Sequence, residues 1–274
     1  MKKIISYALF GYGKEASVDW FEFNTYLRGL MINIRMQQLL MPDWKIRVYI
    51  DRISYEKFQE LFDALDMIEI VVESPAELSR ASLWRLKPLF DAEVEYMISR
   101  DLDSILTYRD AQAVKDWMDS GKCAHAITDS EGHGIPMLAG MIGFWCKYWK
   151  DYTNIISWDQ IVEYRGNYSV KGTDQDIINQ MIYPMFANRN NESILQHYVK
   201  GMPNTFLNGY RNHIPDVDLG IDTGLKSSNS IAGHIGASGW YETELFKFMN
   251  NYHNQFDRIN KLEKLYPTIF YWNA

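Results

Sequence analysis

Short apolar runs alternate with longer segments of helical periodicity through the first half of the chain, and this alternation constrains the fold more than any other feature. The apolar runs lie at residues 4–10, 46–50, 67–72 and 94–98. Strands that alternate with helices build βαβ units, so the sequence predicts an α/β fold with a mainly parallel central sheet flanked by helices.

The segments between these runs place apolar residues at helical spacing. They predict helices over 18–40, 54–65, 75–90 and 107–120, the first of which stops before Pro42. Further along, we expect strands at 124–128 and 141–145, a helix that opens at Thr173 with this residue as N-cap, and a helical C-terminal end with helices near 242–251 and 255–265. No repeat, linker or sharp change of composition is present, so a single domain over 1–274 is expected.

The charge balance is mildly acidic. With 28 Lys and Arg against 35 Asp and Glu, the formal net charge is −7, and the basic residues form no long run. Phosphate backbones need a dense basic face, so no nucleic-acid partner is expected. No window approaches the roughly 20 apolar residues that span a bilayer. The apolar start is broken by glycines and lacks a cleavage site, which favours a buried first strand in a cytoplasmic protein without a membrane span.

The cysteines indicate core positions, whereas the aromatic content is compatible with either a ligand site or an ordinary core. Cys123 and Cys146 do not show CxxC spacing and are expected to be small core residues in a reducing compartment. The 18 Tyr and 9 Trp residues carry rings with a polar edge, which suit sugar faces and nucleobases but also suit an ordinary core.

Asp101-Leu102-Asp103 directly follows the fourth apolar run, at the end of a strand where open α/β sheets bind ligands. In extended backbone, side chains two apart leave the same face, so Asp101 and Asp103 would project together while Leu102 points to the core. A divalent cation relieves the repulsion between two such carboxylates and bridges them to a pyrophosphate. The alternative is a solvated turn that caps the next helix.

Three segments in order resemble a known group of enzymes. RLKPLFDAEVEYMISRDLDSIL resembles the D-x-D region of GT-A nucleotide-sugar glycosyltransferases. GTDQDIINQ and GHIGASGWY resemble two motifs of the glycogenin and bacterial lipooligosaccharide galactosyltransferase group. The segment ITDSEGHGIPMLAGMIGFW is similar to capsule- and virus-encoded relatives. The resemblance implies a single GT-A (Rossmann-like) domain with a nucleotide-binding half at about 1–120 and an acceptor and catalytic half at about 121–274.

The resemblance implies a metal site made of Asp101, Asp103 and His234. Two carboxylates and one imidazole suit Mn²⁺, and suit Mg²⁺ less because Mg²⁺ prefers oxygen ligands alone. Taken without the resemblance, His234 would be read as a surface residue of a glycine-rich loop.

The resemblance also implies a donor-binding set, which comprises Tyr7, Ala8, Leu9, Phe10, Asp51, Arg85, Leu102, Gly236 and Ser238. The guanidinium of Arg85 suits hydroxyl and phosphate oxygens, although a surface salt bridge explains it equally well. Gly236 and Ser238 stand where a loop would offer backbone N–H groups to phosphates.

Asp174, Gln175 and Asp176 open the helix of the second motif and are the implied catalytic residues. A retaining enzyme would place Gln175 and an aspartate at the reaction centre, whereas an inverting enzyme would use a carboxylate there as base. An exposed pair of capping aspartates is the structural alternative. Asp129 and His133 are assigned weakly to the acceptor side, with a structural hairpin equally open. The late motif also lacks the lysine of the group.

Together these features predict a metal-dependent glycosyltransferase that moves a hexose or xylose from a UDP-sugar to a glycan or saccharide hydroxyl. One alternative is a D-x-D phosphohydrolase, although such enzymes place the motif on the first strand. Another is a catalytically silent carbohydrate-binding domain, which would need no metal. The sugar, the acceptor, the stereochemical outcome and the oligomeric state are left open.

Overall fold

A seven-stranded sheet forms the centre of the part of the chain that the computed structural model describes, which is residues 1–12, 20–128, 135–164, 168, 172–187 and 193–198. The strands are β1 (Lys2–Leu9), β2 (Lys45–Asp51), β3 (Glu69–Glu73), β4 (Val94–Arg100), β5 (Ala124–Thr128), β6 (Met141–Trp145) and β7 (Ile194–Tyr198). Their order in the sheet is β3-β2-β1-β4-β6-β5-β7. Among the seven described strands, β6 alone pairs antiparallel, with β4 and β5, so the predicted mainly parallel sheet is confirmed.

Helices connect the strands as the alternation of apolar patterns predicts. They are α1 (Trp20–Leu40), α2 (Arg52–Lys57), α3 (Gln59–Asp63), α4 (Leu78–Ser82), α5 (Tyr108–Ser120), α6 (Trp149–Tyr152), α7 (Trp158–Glu163), α8 (Thr173–Ile177) and α9 (Tyr183–Ala187). A 3₁₀ segment, Leu83–Phe90, follows α4, a shorter one, Cys146–Tyr148, precedes α6, and a π-helical segment, Ile178–Ile182, joins α8 to α9. None of these helices is long and apolar enough to cross a membrane.

The two largest hydrophobic clusters formed by the described residues lie around the sheet. One cluster joins β1 and β2 to α1 and α5, and the other joins the 3₁₀ segment to β5, β6 and the π-helical segment. Cys123 and Cys146 are buried in the second cluster, in agreement with their predicted core positions. The central strands are therefore covered by apolar side chains, so their ends, and not their faces, are the parts of the sheet left open to a ligand.

The chain order of the sheet reverses beside β1. From β1 the chain continues through β2 to β3 on one side, whereas β4 pairs with β1 on the other side. In open α/β sheets the crevice outside the carboxyl ends of the strands at such a reversal is the usual ligand site. The ends of β1 and β4, at Leu9 and Arg100, therefore mark the place to look for a functional site.

Three local predictions differ from the structure. The helix predicted over 54–65 is divided at Phe58, whose φ of −120° and ψ of 29° leave the helical region. The Phe58 ring stacks on Phe23 at 5.5 Å, a contact that sequence periodicity does not reveal. The helix predicted over 75–90 starts only at Leu78 and continues as a 3₁₀ segment. Thr173 is the first residue of α8, and its N-cap is Gly172, which has a φ of 91°.

The predicted terminal helices, at 242–251 and 255–265, lie outside the described residues.

Candidate functional site

The Asp101-Leu102-Asp103 motif forms a turn at the carboxyl end of β4. The backbone N–H of Ser104 donates to the carbonyl of Asp101 at 3.2 Å, which closes a four-residue turn. The extended backbone that the sequence predicted here is therefore wrong, because β4 ends at Arg100. Leu102 is buried in the core as predicted, so only its backbone can face a ligand.

Helix α1 holds this turn from one side. A side chain on Gly29 would overlap the carbonyl of Leu102, so the helix backbone and the turn approach as closely as glycine allows. Asn33, which is completely buried, donates to the Ser104 carbonyl and accepts from the Leu106 N–H, each at 2.8 Å. Both backbone groups are thereby satisfied without water, and the segment after Asp103 is fixed to the helix.

Arg85 links the turn to the start of α8. Its guanidinium donates from Nη1 to Oδ1 of Asp101 and from Nη2 to Oδ2 of Asp174 at 3.0 Å. The residue is 8% exposed, whereas the Asp101 side chain is 46% exposed and that of Asp174 is 13% exposed. The surface salt bridge considered for Arg85 is thus a buried bridge between two motifs that lie 16 and 89 positions away along the chain.

Electrostatics keep Arg85 charged in this position. Burial lowers the pKa of its guanidinium, but the charges of Asp101 and Asp174, and the hydrogen bonds to both, raise it by more. The net effect is a raised pKa, so the site contains a permanent cation between two carboxylates. Such a group can interact with hydroxyl or phosphate oxygens while still bound to its partners.

A loop between β5 and β6 closes the opposite side of the turn. A side chain on Gly140 would overlap the Asp101 carboxylate, which therefore lies directly on the loop backbone. Ser99, the penultimate residue of β4, donates its hydroxyl to the Ala139 carbonyl at 2.6 Å. The turn is consequently enclosed by two glycine contacts, one from α1 and one from this loop.

Two amide side chains of the helical segment hold the loop in place. Gln175 accepts from the Ala139 N–H at 2.8 Å and donates to the Met137 carbonyl. Asn179 accepts from the Met137 N–H at 3.1 Å and donates to the Met137 carbonyl at 2.8 Å. We call these four hydrogen bonds the amide clamp. Both ends of the Gln175 amide are bound to the loop, which shows this predicted catalytic residue in a positioning arrangement.

The end of β1 is fixed to the start of α2 by Asp51. One carboxylate oxygen of Asp51 accepts from the Gly11 N–H at 2.9 Å and from the Ser54 hydroxyl at 2.6 Å, and the other accepts from the Ser54 N–H at 3.0 Å. Gly11 has a φ of 95°, a conformation that favours glycine. Asp51, a predicted donor-binding residue, thus shapes the end of β1 through bonds to the protein.

The predicted donor-binding residues at the end of β1 alternate between buried and partly exposed side chains. Tyr7 and Leu9 are buried in the core, whereas Ala8 and Phe10 are partly exposed. Phe10 makes an edge-to-face contact with Trp84 at 6.0 Å. Of the four side chains, Ala8 and Phe10 are therefore the ones that the fold leaves accessible at this end.

The carboxylates of the turn have the chemistry of a site for a hard divalent cation. Asp101 and Asp103 are both partly exposed, and one or two carboxylates completed by substrate phosphates are a common arrangement for such ions. Across the described residues, no group of three His, Cys, Asp or Glu side chains assembles into a metal site. The third implied ligand, His234, lies outside the described residues, as do Gly236, Ser238, Asp129 and His133.

Sequence reasoning missed three residues that build the site, namely Gly29, Asn33 and Gly140. A glycine and an asparagine inside the apolar pattern of α1 were the available signals, because both are poor helix formers and need a reason to be there. Asn179 belongs to the quoted GTDQDIINQ motif, but its role emerges only once the loop is in place.

No family model and no curated protein matches this chain. Among solved structures, a nucleotide-diphospho-sugar transferase described as putative, from Desulfovibrio desulfuricans G20, aligns over 95% of this chain and 98% of its own, at 13% identity and a TM-score of 0.45. The 4-diphosphocytidyl-2C-methyl-D-erythritol synthase of Anaerococcus prevotii DSM 20548 aligns over 72% and 86%, at 9% identity and a TM-score of 0.44. A protein of Mycobacterium tuberculosis H37Rv in complex with manganese aligns over 65% and 98%, at 9% identity and a TM-score of 0.35. Likenesses this distant assign neither a family nor an activity.

Proposed function

We propose that this protein is a divalent-metal-dependent glycosyltransferase that transfers a monosaccharide from a UDP-sugar, with a hexose or xylose, to a saccharide hydroxyl. The observation that carries the proposal is the bridge from Asp101 through Arg85 to Asp174. Three residues singled out by sequence, from two of the quoted segments, meet there, beside the reversal of strand order at which open α/β sheets bind ligands.

In this proposal the turn and Arg85 bind the donor diphosphate. Asp101 and Asp103, completed by His234, would hold Mn²⁺ or Mg²⁺, and the ion would stabilise the negative charge on the leaving diphosphate. Arg85 would orient donor oxygens while its two carboxylate partners fix its position. Ala8 and Phe10 would border the nucleoside, and Gly236 and Ser238 would offer backbone N–H groups to the phosphates.

Asp176 is the residue we assign to the transfer step. Asp174 is paired with Arg85 and Gln175 is bound to the loop backbone, which supports positioning roles for these two residues. Asp176 lies in the first turn of the same helix with a partly exposed side chain. Its carboxylate is suited to accept a proton from an acceptor hydroxyl or to stabilise positive charge at the anomeric carbon.

The charges of the site predict that metal and nucleotide bind together. Among the described side chains, the four carboxylates of Asp101, Asp103, Asp174 and Asp176 accompany the guanidinium of Arg85, so this group carries an excess of negative charge. A bare diphosphate would be repelled by that charge, whereas a divalent cation neutralises both partners at once. UDP alone should therefore bind weakly, and UDP with Mn²⁺ should bind well.

Thermal unfolding with UDP and Mn²⁺, separately and together, tests the proposal. We expect stabilisation well above the sum of the separate effects only when both are present, because a ligand of the native state raises stability by mass action. Asp101→Asn should abolish the joint effect. Asp119→Asn, a matched change of an exposed aspartate on α5, should retain it. An equal response from both variants, or none from the wild type, would refute the donor site.

Hydrolysis of a panel of UDP-sugars with Mn²⁺ then identifies the donor. Asp103→Ala and His234→Ala should weaken metal-dependent donor binding, whereas Asp176→Ala should leave binding intact and slow turnover. Equal donor affinity in all three variants contradicts this division of roles. Release of phosphate from small phosphomonoesters, lost in Asp101→Asn, would identify a phosphohydrolase instead.

A further inference from the structure

A second concave site lies on the face of the sheet formed by β2 and β3. It is a cleft of about 790 Å³, and its walls come from these strands, the 3₁₀ segment and α7. It is lined by Arg47, Tyr49, Glu69, Glu73, Lys87, Asp91 and Trp158, together with the apolar Ile70, Val71 and Phe90. Neither the Asp101–Asp103 turn, nor Arg85, nor α8 contributes to it, so it is separate from the proposed donor site.

The charged side chains of this cleft already neutralise one another. Arg47 is paired with Glu69 at 2.7 Å and with Asp91 at 2.8 Å, and Lys87 is paired with Glu73. Burial raises the pKa of the Glu69 and Asp91 carboxyls, but hydrogen bonds lower both by more: those from Arg47 and Lys2 to Glu69, and those from the Glu93 N–H and Arg47 to Asp91. These pairs therefore persist at neutral pH. Lys2 also pairs with Glu69 at 3.1 Å, so three cations balance the three carboxylates and both cations of the lining are already paired.

Aromatic rings form the other part of the lining. Trp158 is fixed by an indole N–H bond to the Leu83 carbonyl at 3.3 Å, and its ring is partly exposed. The Lys87 ammonium lies 4.5 Å from the centre of this ring. Phe90 is partly exposed as well, whereas Tyr49 forms part of the floor. Apolar ring surface therefore lies directly beside rigid, fully charged hydrogen-bonding groups.

We propose that this cleft binds a neutral saccharide. Hydroxyl groups both donate and accept, so a sugar can bond to carboxylate oxygens and to Lys87 without bringing a charge that would unbalance the pairs. The apolar C–H face of a sugar ring suits Trp158 and Phe90. A nucleotide would bring negative charge to a lining whose cations already have carboxylate partners, and a wholly apolar ligand would desolvate paired charges without replacing their water.

Saccharide binding at this cleft requires neither nucleotide nor metal, which separates its test from that of the proposed function. The indole ¹H–¹⁵N resonance of Trp158, assigned through its loss in Trp158→Phe, reports on the cleft. We expect saturable shifts on titration with neutral di- and trisaccharides of glucose, galactose and N-acetylglucosamine. Counterparts that contain glucuronic acid should bind more weakly, because Arg47 and Lys87 are already paired with carboxylates of the protein.

Two variants locate the binding, and one is a control. Val71→Tyr on the edge strand fills the cleft and should weaken binding about tenfold or more, the equivalent of about 1.4 kcal/mol. Lys87→Met keeps a chain over the ring but removes the donors, and should weaken binding several-fold. Ile53→Tyr places the same ring on the exposed side of α2 and should bind as the wild type does.

Any of three results overturns the proposal. The first is the absence of saturable shifts with every neutral sugar. The second is unchanged affinity in both Val71→Tyr and Lys87→Met, with unchanged unfolding midpoints showing that these variants are folded. The third is displacement of the sugar by UDP with Mn²⁺, which would place the ligand at the donor end.

Discussion

Replacing Asp110 by alanine should leave a buried guanidinium without its carboxylate partner. Arg100, the last residue of β4, donates to Asp110 from Nε at 2.9 Å and from Nη2 at 2.6 Å, and the two residues are 3% and 1% exposed. Removing one partner of a buried pair costs about 3–5 kcal/mol, because the remaining charge is uncompensated. Arg100 keeps bonds to the Ser99 and Ile142 carbonyls, so we expect about 3 kcal/mol, the lower end of the range.

Urea unfolding measures this loss as a shift of the midpoint at constant slope. Asp119→Ala is the matched control, since the same residue type on the same helix pairs with Lys115 in solvent, and its midpoint should not change measurably. The double variant Arg100→Met with Asp110→Ala should recover most of the stability, because an apolar pair carries no buried charge. Equal midpoints for Asp110→Ala and Asp119→Ala, or additive losses in the double variant, would refute the reasoning.

Four further substitutions test the site and its surroundings. Gly140→Ala should displace the Asp101 carboxylate and abolish joint UDP and Mn²⁺ binding, with little effect on the urea midpoint. The new methyl group of Gly29→Ala meets a backbone carbonyl instead, so this substitution should cost about 1–3 kcal/mol of stability. A loss of stability in Gly140→Ala together with a neutral Gly29→Ala would contradict these contacts. Asn179→Ala should cost about 1–3 kcal/mol in urea unfolding by leaving the Met137 amide unpaired, and a neutral outcome would show that the amide clamp is dispensable. Burial, followed by the charges of Arg100 and His197, lowers the pKa of His125 well below 6.5, so His125 stays neutral in the folded state while it gains a proton in the unfolded state as the pH falls. Between pH 7.5 and 5.5 the free energy of unfolding of the wild type should therefore fall by up to about 1.4 kcal/mol more than that of His125→Phe. Parallel plots of unfolding free energy against pH for the two proteins would refute this.

The sheet was predictable because each central strand is a short apolar run covered on both faces. Ile5, Val48 and Ile98, on three central strands, are each completely buried, as a short apolar run in a covered sheet predicts. Helix boundaries were less predictable where a single contact decides them. Phe58 divides a periodic segment because its ring packs on Phe23, and periodicity carries no information about that partner. The helix predicted from Pro75 likewise begins later, at Leu78, because the apolar pattern of the segment continues before the point at which the helix starts.

The charged residues of the candidate site were predictable from the sequence, but the hydrogen bonds that join them to the rest of the protein were not. Asp101, Arg85 and Asp174 were identified as chemistry-bearing residues, and the structure brings all three together. The sequence assigned Gln175 to the reaction centre, whereas in the structure its amide is bound to a loop 36 and 38 positions away. An amide side chain bonds equally well to a substrate or to a backbone, so only the placed loop distinguishes the two roles.

The geometry of the Asp101–Asp103 turn is set by residues outside the motif itself. The turn contains one internal backbone bond; Arg85, Gly29 and Gly140 also contact it, and Asn33 holds the segment that follows it. Each contact fixes the backbone or the carboxylate within van der Waals distance, which is the precision that phosphate binding needs. The chemical meaning of the motif therefore depends on the two glycines that enclose it as much as on its aspartates.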